Sequence, residues 1–129
     1  MKWKKLLPIL PALMLAGCAT TSTTFTNLTP LQQPRNADNL YPVEVSLQTT
    51  QQSLNWNSLQ PFVLVNNQLY PMHRTPLMNN RWEGFVPVPP GTNDVIYRYK
   101  FNYLYNHFGS APKPGSVYSP QYELKITGQ

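Results

Sequence analysis

From position 40 onward the chain alternates. In "LYPVEVSLQ", Tyr41, Val43, Val45 and Leu47 fall on one face and Pro42, Glu44, Ser46 and Gln48 on the other. A period of two marks a half-buried strand. Pro42 has no N–H to give to a ladder, which predicts an edge position. "PFVLV" and "QLYPM" flank Asn66-Asn67, and asparagine tolerates the positive φ of a type I′ turn, so this stretch predicts a hairpin. After a second pair, Asn79-Asn80, comes "RWEGFVPVPP", in which Trp82, Gly84, Val86 and Val88 share one face. "PPGTN" is turn chemistry. "DVIYRYKFNY" is the strongest strand: Val95, Tyr97, Tyr99, Phe101 and Tyr103 line one side, and Ile96, Arg98, Lys100 and Asn102 the other. "LYNHFGSAPKPGSVYSP" predicts a long irregular loop, and "QYELKIT" a last strand. "SLNWNSLQ" fits either a short strand or a loop with Trp56 folded inward.

Six or seven short strands, with turn signals every ten or so residues, are best buried as two antiparallel sheets packed face to face. The expected fold is all-β: an immunoglobulin-like antiparallel β-sandwich of about seven strands over residues 40–129. A small closed barrel is the competing architecture. Residues 18–39 look different. "ATTSTTFTNLTPLQQPRNADN" is polar, with two prolines and few apolar residues, which predicts an extended, disordered tether. Fully stretched, it would reach roughly 70 Å. The other reading of this stretch is a first strand over Phe25 to Leu31.

The amino terminus has its own pattern. Lysines at 2, 4 and 5 precede an apolar run from Leu6 to Ala16, and small residues lead to Cys18, the single cysteine. This is the layout of a secretory signal. The run is short for a membrane span, and Pro8 and Pro11 interrupt it. Leu15-Ala16-Gly17-Cys18 resembles the lipobox of bacterial lipoproteins; an ordinary secretory signal is the alternative. The resemblance implies a signal peptide over residues 1–17, cleavage before Cys18, and lipid on the Cys18 thiol and new amine. In Gram-negative members an aspartate after the cysteine favours inner-membrane retention. Ala19 stands there, so the resemblance implies an envelope protein held at the outer membrane by its acyl chains, or simply at the envelope if the source is Gram-positive.

Removing residues 1–17 also changes the charge. The formal net charge is +5, but three of the ten basic residues leave with the signal; seven remain against five acidic ones, a net +2. No Lys/Arg cluster survives, so nucleic acid is not an expected partner. A lone cysteine allows no internal disulfide and no zinc site built on two thiolates. Proline is abundant and glycine scarce, fourteen against six, which discourages long helices.

Candidate chemistry is sparse. Asp38, Glu44, Glu83, Asp94 and Glu123 read as solvated charges, and His73 and His107 lack a matching ligand set. No phosphate loop or catalytic triad spacing stands out. The expectation is a non-catalytic protein without metal or cofactor, bound to a membrane through Cys18 and presenting its domain to a protein or a glycan. "NNRWEGFVPVPPGTNDVIYRYKF" resembles the central part of starch- and glycogen-binding modules of the early-set immunoglobulin-like group, on Trp82, Pro89, Pro90, Gly91, Tyr99, Lys100 and Phe101. It departs at Asn102-Tyr103-Leu104-Tyr105, where that group commonly continues into Asp-Gly and a tryptophan. Exposed aromatics stack on sugar faces, so Trp56, Tyr70, Tyr105 and Phe108 are the candidate ligand contacts. Trp82 and the strand tyrosines read as core.

Overall fold

The computed structural model describes residues 22–128. Cys18 and the expected signal peptide lie outside the described residues. Within them the fold is an immunoglobulin-like β-sandwich of two packed sheets, with ten strands rather than about seven. β1 (Thr23–Asn27), β3 (Leu40–Thr49), β7 (Arg81–Pro87) and β6 (His73–Arg74) form one sheet in the order β1-β3-β7-β6. β2 (Gln32–Pro34), β10 (Tyr122–Thr127), β8 (Asp94–His107), β4 (Gln60–Val65) and β5 (Gln68–Pro71) form the other, in that order, and β9 (Ser110–Tyr118) also pairs with β8. All pairings are antiparallel except β2 with β10.

The period-two faces become the core. Tyr41, Val43, Val45 and Leu47 of β3 are buried against Val95, Tyr97, Tyr99 and Phe101 of β8, together with Trp82, Val86, Leu124 and Ile126. Trp82 meets Phe101 edge to face at 4.9 Å between ring centres. Gly84 lies under Met72; a Cβ there would fall 2.9 Å from Met72 Cγ. Asn66 and Asn67 both take positive φ, 52° and 64°, as the type I′ turn between β4 and β5 requires.

Three expectations are corrected. The stretch 23–34 is not a tether. β1 pairs with β3 from Thr23↔Thr49 to Asn27↔Val45, and β2 pairs with β10. Phe25 packs on Phe101. Asn27 and Thr29 enter a polar knot with the hydroxyls of Tyr97 and Tyr99. The segment 105–118 is not an irregular loop either: β8 runs on to His107 and returns as β9, with a register shift between Tyr105 and His107. This arm has little to bury and is held by its ladder, by backbone bonds of Leu104 and Asn106 to Asn55 and Ser53, and by Tyr103, whose ring covers Gly115. Pro42 is not on an edge strand. β3 lies between β1 and β7, but β1 stops opposite Val45, so no strand on that side needs an N–H from Pro42, and its carbonyl accepts from Gln33 Nε2 at 2.9 Å. The ambiguous "SLNWNSLQ" becomes a 3₁₀ turn at Trp56–Ser58, capped by the Asn55 side chain.

Candidate functional site

On the outer face of the four-stranded sheet, strand alternation exposes Pro42 and Glu44 of β3 beside Glu83 and Phe85 of β7. Glu44 stands directly opposite Glu83 in the ladder. Like charges so placed repel, and the neighbouring strands supply the remedy. Arg81 holds Glu44 Oε2 through Nη2 at 2.7 Å and Nε at 2.9 Å. His73 of β6, opposite Glu83 in the β6–β7 ladder, brings Nε2 to 3.1 Å from its Oε2. The Thr75 hydroxyl lies 3.4 Å from an oxygen of each carboxylate and donates to one at a time.

The chain from Leu28 to Pro34 forms a wall above this floor. It is held in place by Thr29, which is buried and whose hydroxyl accepts from the Glu44 N–H at 2.9 Å. The enclosed groove measures about 600 Å³ and presents Leu28, Pro30, Pro42 and Phe85 around the two carboxylates. Both acids already have a basic partner, and both remain partly open, 26% for Glu44 and 38% for Glu83. The arrangement suits binding of an apolar segment that carries a cation. In the sequence Glu44 and Glu83 read as solvated charges and His73 as uninvolved; the structure brings the three together. Their separation along the chain meant nothing until the register was known.

The four aromatic candidates do not form one platform. Trp56 is half-buried, 5.9 Å from the Trp82 ring, and its indole N–H donates to the Asn79 carbonyl at 3.1 Å. Tyr70 packs against the core, and its hydroxyl donates to Gln68 Oε1 at 2.9 Å, beside a cleft lined by Asn39 and Pro89. Tyr105 lies on β8, 6.5 Å from the Tyr103 ring, bridged to Leu54. Phe108 occupies the β8–β9 turn, fully exposed. Trp82 is core, as its face predicts.

A wider cleft of about 760 Å³ lies at the base of the β8–β9 arm, where Asn57, Gln60 and Asn102 surround Tyr103 and Ser116. It contains amides and hydroxyls and no charged group. Among the described residues, no set of three or more His, Cys, Asp or Glu is placed to hold a metal ion. The buried hydroxyl of Tyr99 is pushed well above the usual phenol range, by burial first, and that of Tyr122 is raised for the same reason. These are groups of the core and not of either cleft. Compared with known proteins, the chain matches no family model, no curated protein and no solved structure.

Proposed function

We propose that the chain is a lipid-anchored, non-catalytic protein of a bacterial envelope whose β-sandwich binds a protein partner. The lipobox-like Leu15-Ala16-Gly17-Cys18 supports the anchor, and Ala19 supports the outer membrane of a Gram-negative cell. The observation that carries the binding role is the groove between residues 28–34 and the β3–β7 face. Its acids are each held in place by a neighbouring side chain, Glu44 by Arg81 and Glu83 by His73, and both stay partly exposed, an arrangement that suits recognising a ligand's cation. The partner it fits is an extended segment with an apolar side chain for Phe85 and a lysine or arginine for Glu83.

Two measurements test the two halves. Cys18→Ser should abolish lipid mass and release the chain from membranes; a mutant that carries no lipid and still sediments with membranes overturns the anchor. A photo-crosslinking residue at Phe85 should capture a defined partner in cells, lost with Glu83→Lys, while the same residue at exposed Ile96 should not. Equal capture at both positions overturns the groove.

A second reading, a carbohydrate-binding module, is favoured by the amide-lined cleft around Tyr103. Copurifying polysaccharide, released by Asn102→Ala and unaffected by Glu83→Lys, would put that reading first.

A further inference from the structure

We infer that one end of the sandwich is a membrane-contacting surface with two apolar prongs, Leu77 and Phe108, that rest in the bilayer to which Cys18 is anchored. The inference builds on the proposed anchor. Strand register fixes the end concerned. β1 runs against β8: Asn27 meets Tyr97 and Tyr99, Phe25 meets Phe101, and Thr23 shares a small cleft with Tyr103 and Val117. The chain therefore leaves the domain at the end toward which β8 extends. From Tyr103 the arm continues five residues to Phe108, about 17 Å of strand. Cys18 lies five residues before Thr23, a reach of at most about 17 Å. The acylated cysteine and the tip of the arm can thus lie at one level.

The β6–β7 turn belongs to the same end. β7 begins at Arg81 opposite Ser46, the Leu47 N–H donates to the Asn80 carbonyl and the Thr75 N–H to the Arg81 carbonyl, so the turn over residues 76–79 reaches about the level of Thr49 and Thr23, where β1 starts, and the sandwich leans toward its β6 edge when both prongs touch one bilayer. The large apolar residue of this turn with the greatest exposure is Leu77. Among the described residues, Leu77 and Phe108 are the two large apolar side chains with no burial at all, each 103% exposed. Leu77 is also held at φ 66° in a turn closed by Met78 N–H to the Thr75 carbonyl. A bulky side chain seldom takes that conformation, and here no packing within the chain compensates it.

Charge agrees. All five carboxylates lie in the middle of the sandwich or at its far end. None occurs between Val45 and Trp82 or between Val95 and Tyr122, the stretches that build this end, whereas Lys113 and His107 flank the arm's tip. An anionic lipid surface meets no acidic group there. Two apolar side chains would bind a membrane poorly from solution. Tethered by a lipid, they bind intramolecularly, at high effective concentration.

The test anchors the chain chemically, so that its outcome does not depend on lipidation in the cell. The chain from Cys18 onward, the mature form under the proposed anchor, is coupled through its single thiol to a maleimide lipid. The vesicles contain phosphatidylethanolamine, phosphatidylglycerol and acyl-brominated lipid. Leu77→Trp and Phe108→Trp serve as reporters, each read as a difference from the parent chain. Leu31→Trp, beside Lys125 at the opposite end, is the control. The added indole emission of Leu77→Trp and of Phe108→Trp should shift to the blue and be mostly quenched by bromine, and that of Leu31→Trp should do neither. Unquenched, water-like emission from both reporters overturns the inference while leaving the Cys18→Ser result untouched. So does shielding without bromine quenching accompanied by crosslinks between copies, which would make this end a self-interface. Quenching in all three variants, a sign of adsorption without orientation, also overturns it.

Discussion

Asn27→Ala should destabilise the domain far more than an exposed change in a polar amino-terminal stretch would suggest. The Asn27 carboxamide accepts from the Tyr99 hydroxyl at 2.6 Å and donates to the Tyr97 hydroxyl at 2.8 Å. Tyr97 and Tyr99 are almost completely buried, so neither hydroxyl can turn to water. A hydrogen bond is worth about 1 kcal/mol net, and a buried group left without its partner costs about 1–3 kcal/mol. Alanine removes both bonds. Tyr99 keeps a fallback in the Glu44 carbonyl, 3.2 Å away; Tyr97 loses its donor. The expected cost is on the order of 2–3 kcal/mol, out of a total of about 5–15 kcal/mol for a domain of this size. Tyr99→Phe should cost about 1–2 kcal/mol, because Asn27 Oδ1 still receives the Thr29 N–H at 3.3 Å. The double mutant should then lose less than the sum of the singles, by about 0.5–3 kcal/mol, as coupled neighbours do. Thr26→Ala, next door on the exposed face, should stay within about 0.5 kcal/mol. Urea unfolding followed by the emission of buried Trp82 measures all four. If Asn27→Ala proves as mild as Thr26→Ala and the cycle is additive, the knot does not hold β1 to the sandwich, and the assignment of this stretch to the fold is wrong.

Three further outcomes follow from the packing. Phe101→Ala, emptying a fully buried site beside Trp82, should cost about 3–5 kcal/mol, while Lys100→Ala on the outer face should cost little; thermal melts showing equal losses would mean the register of β8 is shifted. Stability should fall at alkaline pH. The raised Tyr99 hydroxyl stays protonated in the fold after the unfolded chain begins to lose that proton near pH 10, so its contribution is intact below about pH 10 and declines above it, by up to roughly 1.4 kcal/mol per pH unit. Tyr99→Phe should flatten that limb, and an unchanged profile would locate the titration elsewhere. Limited proteolysis should spare residues 23–34 while the domain stays folded, since their backbone is paired; prompt cleavage there, seen by mass spectrometry, would restore a loose tether.

The core was legible because its residues obey a period of two that needs no knowledge of partners: Tyr41 through Leu47 and Val95 through Phe101 are buried as the pattern predicts. β1 and β2 were hidden for the opposite reason. With the link between them they contribute Phe25 and otherwise Asn27, Thr29 and Gln33, polar residues that are covered only because their partners, some 70 residues away in the case of Tyr97 and Tyr99, satisfy them. A composition rule that equates polar with disordered cannot see such a pairing. β9 was hidden by its prolines and glycine, because an arm that buries little has no apolar period to display. The groove depended on Glu44 facing Glu83, a matter of register, and the aromatic candidates depended on which end of the sandwich each strand brings them to.

The parallel pairing of β2 with β10 has a kinetic consequence. β2 is the second of the described strands and β10 the last, and β10 fills the place between β2 and β8 with Leu124 and Ile126 in the core. Until β10 arrives, β8 has an open edge and β2 has nothing to pair with. A chain emerging amino end first can form the β4–β5 hairpin early, since its contacts are local, but must wait for its final strand to close the six-stranded sheet. Such non-local closure makes folding slow.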